Sequence, residues 1–211
     1  MSSVTEVSSV TERKLRADTQ RTRDRLLDTM GRLLEENGLD FSLPDLARES
    51  GVATATVYRH FSDLGDLRQE FYNRFVTSLV QELAALSAHC SGRELLRATC
   101  RTWVSSTLPW ARAATLIRSA EGYLERVRNA DPFVIHLHQG VLLPLLDQLV
   151  EQGVVPDLDR GYAALVWVSL FDERVFIDLT VTFGWSPEQI GDMLESTLLG
   201  ALRTTDLDAT T

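Results

Sequence analysis

An all-α fold is expected from three observations. Apolar residues recur every three or four positions through most of the chain, hydroxyl- or acid-capped starts precede those stretches, and Gly or Pro closes them. From Thr19, residues Leu26, Met30, Leu33 and Leu34 fall on one stripe that Leu27 widens, and Asn37-Gly38 ends that first helix. Ser42-Leu43-Pro44-Asp45 supplies a capping hydroxyl, an early Pro and an acid three residues after the cap. This starts a short second helix with Leu46 and Ala47 inward and Gly51 at its end. Asp63 and Asp66 repeat the cap-and-acid spacing before Leu67, Phe71, Phe75, Leu79, Leu83 and Leu86, which predict one long helix to about residue 88. Further helices are expected at 93–107, 110–128, 132–152, 158–183 and 187–204, separated by Pro109, Asp131-Pro132, and the Gly/Pro stretches at 153–156 and 184–187. The last is the most regular, with Ser186-Pro187-Glu188-Gln189 as cap and Ile190, Met193, Leu194, Thr197, Leu198, Ala201 and Leu202 as stripe.

Length and composition narrow the class. The 211 residues, 44% hydrophobic and 24% charged, are those of a chain that folds around a sizeable core. The longest apolar run, AALVWVSLF at 163–171, is half a membrane span and is closed by Asp172, Glu173 and Arg174. The opening MSSVTEVSSVTE does not read as a secretory signal, so a cytoplasmic protein is expected. Cys90 and Cys100, without a CxxC pair, suit reduced thiols packed as small hydrophobes. The net charge of −9 conceals a gradient. Residues 13–32 hold seven basic against three acidic side chains, whereas residues 76–211 hold ten against seventeen. A locally basic front is thus joined to an acidic back.

The stretch GVATATVYRHF at 51–61 alternates like a strand, yet no neighbouring segment offers it a partner. Read as turn and helix it is coherent. Gly51 takes the turn, Val52 plugs the core, and Val57 and Phe61, four apart, form a buried face. Thr54, Ala55, Tyr58 and Arg59 then point outward. A short helix with hydroxyls, a phenol and a guanidinium on its outer face suits a DNA major groove, where Arg can pair with guanine and Thr or Tyr can reach phosphates or thymine methyls.

The run LPDLARESGVATATVYRHFSDLGDL, preceded by a helix ending NGLDFS, resembles the N-terminal helix-turn-helix domain of the TetR family of bacterial transcriptional regulators. Ala47, Gly51, Val52, Thr56, Tyr58, Phe61 and Leu67 stand where the family motif puts them. The resemblance covers about residues 19–70. It implies a homodimer on double-stranded operator DNA of near two-fold symmetry, a helical C-terminal domain that binds a small effector, and no cofactor. It places Thr54, Ala55, Tyr58 and Arg59 near bases, and Ser42, Thr56, Tyr58 and His60 near phosphates. Two residues depart from the pattern. Ala53 stands where Ser is usual, removing a helix cap unless Thr54 substitutes. Leu64 stands where Lys is common, which removes one phosphate contact and makes the salt dependence of binding shallower by about one charge. Arg21 and Arg23, or Arg13 and Arg16, are candidates to compensate.

The expected organisation is a flexible tail at 1–18, the helix-turn-helix domain at 19–65, an effector-binding and dimerisation domain at 66–205, and a short tail at 206–211. In the back domain Trp103, Trp110, Phe133, Trp167, Phe171 and Phe176 are candidate pocket residues beside Asp172, although aromatics at helical spacing also build cores. FDERVF at 171–176 is similar to the ethionamide-repressor-like branch of the family, whose members accept elongated hydrophobic ligands. The last two helices, 158–183 and 187–204, are apolar around much of their circumference, so they are the expected dimer interface. A metal-carboxylate helical enzyme is disfavoured because Glu-x-x-His pairs are missing, and His136 and His138, two apart, lie on different helix faces. GxSxG, P-loop and dinucleotide fingerprints are missing too. An all-helical protein-interaction module that never meets DNA is the remaining alternative.

Overall fold

The computed structural model describes residues 3–117 and 119–204, with twelve α-helices and no strand among them. They form two units, one ending at Tyr72 and the other beginning at Asn73, seven residues beyond the boundary expected from sequence. The C-terminal segment expected as a tail, 206–211, lies outside the described residues.

The first unit contains α1 (Ser3–Asn37), α2 (Leu43–Ser50), α3 (Thr54–His60) and the start of α4 (Leu64–Leu86). Helix α1 begins at Ser3, so residues expected as a flexible tail are helical. No Gly or Pro interrupts the chain before Gly31, and nothing local stops the helix from running on. The core stripe is where periodicity put it: Leu26, Leu27, Met30, Leu33 and Leu34 are all buried, as are Leu46, Val57, Phe61 and Leu67 of the following helices and turn. Gly38, at φ +62, takes the left-handed turn after α1.

The second unit holds the rest of α4 with α5 (Gly92–Thr107), α6 (Ala111–Ile117), α7 (Tyr123–Arg128), α8 (Pro132–Leu137), α9 (Leu143–Glu151), α10 (Arg160–Leu170), α11 (Glu173–Val181) and α12 (Pro187–Arg203). Three helices expected as continuous are each divided. Residues 110–128 separate into α6 and α7 around Ser119–Gly122, where the Ser119 hydroxyl accepts the Glu121 N–H. Between α8 and α9 the chain makes a π-helical turn at His138–Leu142, in which the Leu143 N–H reaches back five residues to the His138 carbonyl. Pro144 follows and has no N–H with which to resume the ordinary ladder to Gly140. The third division falls at Asp172, whose carboxylate accepts the Arg174 N–H at 2.9 Å and caps α11. A short acid that bonds the backbone competes with helix continuation.

Helices α5 and α12 form the tightest pair. A Cβ on Gly191 would lie 2.9 Å from the Arg101 Cα, so the two backbones nearly touch. Arg97 Nε donates to the buried Glu195 carboxylate at 2.9 Å, while Arg93 stands 3.5 Å from its other oxygen. Arg101 forms a bidentate pair with Asp192. The apolar stripe of α12, Ile190, Leu194, Leu198, Leu199 and Leu202, is buried within this chain. Helix α5 and the core cover this stripe within the chain, whereas Met193, on the same helix, is exposed. The exposed large apolar side chains in this region are Tyr162, Val181, Phe183 and Met193.

The stretch Pro132–Glu151 has the length and mean hydropathy of a membrane span, a property the shorter run at 163–171 lacks. Its Val134, Val141, Leu142, Leu145, Leu146 and Leu149 are buried in the unit's interior, which accounts for its apolarity.

At the π-turn, the Tyr123 hydroxyl and His138 Nδ1 are 2.7 Å apart with the rings edge to face. Burial raises the Tyr123 phenol above its usual range and lowers His138 below 6.5. The neutral imidazole is the form that can accept from the phenol. His60 is also lowered, by burial first and then by Arg23 and Arg59. Because both histidines bind protons less readily folded than unfolded, their contribution to stability is full above the unfolded value of 6.5 and is lost as pH falls through it. Tm measured from pH 8 to pH 5 is expected to decline below about 6.5, with a smaller decline in His138→Gln.

Candidate nucleic-acid interface

The α2–turn–α3 segment is fixed from both ends. Ser42 and Asp45 form a reciprocal capping box: the Ser42 hydroxyl accepts the Asp45 N–H, and the Asp45 carboxylate accepts the Ser42 N–H at 3.0 Å. The Ser42 hydroxyl and N–H, followed by Arg48, hold the Asp45 carboxyl below its usual range. Gly51, at φ +65, turns the chain, and the Val52 N–H returns to the Ala47 carbonyl at 3.1 Å.

Helix α3 is anchored by Val57 and by Phe61, which follows it; both are fully buried. Thr54, Ala55, Tyr58 and Arg59 are exposed, with Tyr58 at 52%. Thr56 and His60 sit at the edges of that face, half-buried. These exposed side chains share one surface because 54, 55, 58 and 59 recur at the helical period. The only side-chain contact described for Arg59 is a marginal 3.5 Å bond to the Thr56 hydroxyl.

Ala53 occupies the N-cap of α3 and contributes no side-chain bond, and Thr54 does not replace it: it is the helix's first residue. Ala53→Ser is therefore expected to stabilise the first unit by about 1 kcal/mol, read as a higher urea midpoint at unchanged slope. Leu64 opens α4 and is half-buried. Of the compensating arginines, Arg23 is already committed: its Nε donates to Glu70 at 3.1 Å and its guanidinium lies 5.1 Å from the centre of the Phe61 ring. Arg21 is well exposed beside Asp18, whereas the side chains of Arg13 and Arg16 lie outside the described residues.

Residues 26–71 match the family described as bacterial regulatory proteins, tetR family. An uncharacterized HTH-type transcriptional regulator of Mycobacterium tuberculosis is 35% identical over 86 residues, which are 40% of this chain and 37% of that protein. The chain thus spans little more than a third of the length of the curated relatives it matches. The fold is similar to that of the fatty acid degradation regulator FadR of Bacillus halodurans, with a TM-score of 0.65 over 86% of this chain and 96% of that one at 18% identity. The FadR of Bacillus subtilis, solved in complex with stearoyl-CoA, gives 0.65 over 85% and 97% at 17% identity. The chain has the TetR-family fold.

In this TetR fold the aromatic candidates do not form one wall. Trp103, Trp167, Phe171 and Phe176 are buried and pack on one another, with Phe171 centroids 5.2, 6.3 and 5.9 Å from those of Trp103, Trp167 and Phe176. Trp110 is half-buried on a 3-10 turn, and Asp172 serves as helix cap and Arg174 partner. Phe133 alone of the seven lines a described hollow. That hollow, about 150 Å³, lies between Val76, Thr77, Val80 and Gln81 of α4 and Phe133 and His136 of α8. A second, of about 60 Å³, follows along the same seam, lined by the end of α4, by Leu95 and Thr99 of α5, and by the π-turn and α9. The signal that could have pointed here is Pro144, a helix breaker inside an otherwise unbroken apolar period. Among the described residues no group of three or more His, Cys, Asp or Glu could hold a metal ion. Cys100 is fully buried, and burial pushes its thiol well above the usual range.

Proposed function

We propose that the protein is a TetR-type, non-enzymatic DNA-binding regulator that represses from a palindromic operator and is released by a small hydrophobic effector. The observation that carries this reading is the α3 face. Thr54, Ala55, Tyr58 and Arg59 are exposed together on a helix whose other side is locked by Val57 and Phe61. Arg59 and Tyr58 read bases, and Ser42, Thr56 and His60 position the helix on phosphates.

A second copy supplies the second half-site, with reading helices about 34–36 Å apart. The last helices join the copies, and exposed Tyr162, Val181, Phe183 and Met193 support that surface. Helix α4 begins in the first unit and ends beside the two hollows of the second, so it is the element through which an effector alters half-site spacing. Release follows when the effector binds the other spacing better, and about 1–3 kcal/mol of coupling suffices. The complex of the structurally similar Bacillus subtilis FadR with stearoyl-CoA supports an effector with an apolar body.

Selection of bound duplexes from random DNA at physiological salt tests the reading. Recovery of a palindrome with half-sites one helical turn apart is the expected result. Enrichment of no sequence would leave the protein-interaction module as the better account.

A further inference from the structure

The two hollows of the second unit succeed one another along a single seam. Helix α4 supplies Val76, Thr77, Val80 and Gln81 to the first and Leu83 and Ala84 to the second, with Ser87 just beyond its end. The facing wall advances in the same direction, from Phe133 and His136 to Gly140, Val141, Pro144 and Gln148. From Val76 to Ser87 the seam is about 16 Å long at the helical rise, the reach of roughly a dozen carbons.

The second hollow contains an orphan. Thr99 is fully buried, lines the hollow, and its hydroxyl has no hydrogen-bond partner among the described residues. Thr22, Thr29, Thr77 and Thr197, all on helices, donate instead to the carbonyl four residues back. A buried hydroxyl that forgoes the bond those threonines make is costly unless something else meets it. On the same wall the Ser87 hydroxyl is engaged with the Ala84 carbonyl, and the side-chain Oε1 of Gln148 accepts the Gly92 N–H, leaving the Gln148 side-chain NH₂ as a donor. Neither Lys nor Arg lines either hollow. A carboxylate placed at Thr99 would lose its water without gaining a charge partner.

We infer that the seam binds an elongated neutral amphiphile, with its single hydroxyl or carbonyl group on Thr99 and its chain extending along α4 toward Phe133. This rests on the reading of the second unit as effector-binding, and it names the ligand class and the residue that selects it. A neutral group is chosen over an acid by the hollow's lack of cations, and length by the distance between the hollows.

Calorimetric titration of the full chain, without DNA, with 1-hexanol, 1-octanol, 1-decanol and decanoate at pH 7.5 tests the assignment. Affinity should rise about fourfold per added methylene through decanol, with decanoate at least tenfold weaker than decanol. Thr99→Val should weaken decanol at least fivefold, while Thr107→Val, which removes another buried orphan hydroxyl outside both hollows, should leave it unchanged. Circular dichroism of each variant establishes that the fold is kept. Equal or tighter binding of decanoate, no dependence on chain length, no binding by any alcohol, or an indifferent Thr99→Val in a folded protein would overturn the inference. Operator affinity with and without decanol is read separately by anisotropy. Decanol binding with unchanged operator affinity upholds the ligand assignment and removes its role in release.

Discussion

Replacing Tyr58 and Arg59 together by alanine is expected to lower affinity for the selected operator by two or more orders of magnitude while leaving Tm and oligomeric state unchanged. Both halves of that expectation follow from position. The side chains stand on the exposed face of α3, and the helix is held by residues on its other side, Val57 and Phe61. Tyr58 is half in solvent, and Arg59 has only the long contact to Thr56, so little packing is lost on truncation. On DNA the guanidinium can pair with a base edge, and each such contact contributes about 1–3 kcal/mol, roughly 5- to 150-fold in affinity. Anisotropy at one fixed salt concentration measures the loss, since phosphate contacts make any affinity depend on salt. Retained affinity in the double variant would mean that α3 is not the reading helix. A fall in Tm alongside lost affinity would assign the pair a structural role instead.

The second large effect is expected at the contact of α5 and α12. Gly191→Ala places a methyl 2.9 Å from the Arg101 Cα and 3.2 Å from its N, backbone atoms that cannot rotate aside. The helices must part, loosening the seats of Leu194 and Leu198 and lengthening the bond from Arg97 to the buried Glu195 carboxylate. A cost of about 1–3 kcal/mol is expected, read as a Tm lower by roughly 2–10 °C. Gly200→Ala on the same helix is the control, because nothing lies within 4 Å of its Cβ position. There the better helix propensity of alanine should stabilise by up to about 1 kcal/mol. Opposite signs for one substitution on one helix would isolate the close approach from propensity. Equal effects would show that α5 yields without cost.

Much of the first unit was legible in the sequence because its determinants are local. Ser42 with Asp45, Gly51, and the four-residue spacing of Val57 and Phe61 each involve residues close in the chain, and each appears in the structure as spacing implies. The extent of α1 differs from the expected tail because low hydrophobicity near the N-terminus resembles disorder, whereas no Gly or Pro in that segment breaks a helix. The back domain was legible as helices but not as a site. Periodicity marked Trp103, Trp167, Phe171 and Phe176 as inward without distinguishing a packed interior from a cavity wall. Only the arrangement of α5, α10 and α11 shows that these rings fill one another's space. The divisions of the long helices at Asp172 and at the π-turn were visible as single residues, Asp172 and Pro144, whose effect depended on the structure around them.

The amino-acid sequence by itself determined the all-α class, the helix-turn-helix and the polar outer face of α3, since helical period, capping and a left-handed glycine act over a few residues. Tertiary structure decided which apolar faces are spent inside the chain and which hollows remain. It turned α12 onto α5, committed Arg23 to Glu70 and Phe61, and left the Thr99 hydroxyl without a partner among the described residues beside a cavity. Those outcomes depend on distances between residues far apart in sequence, and close packing makes such distances a property of all the side chains together.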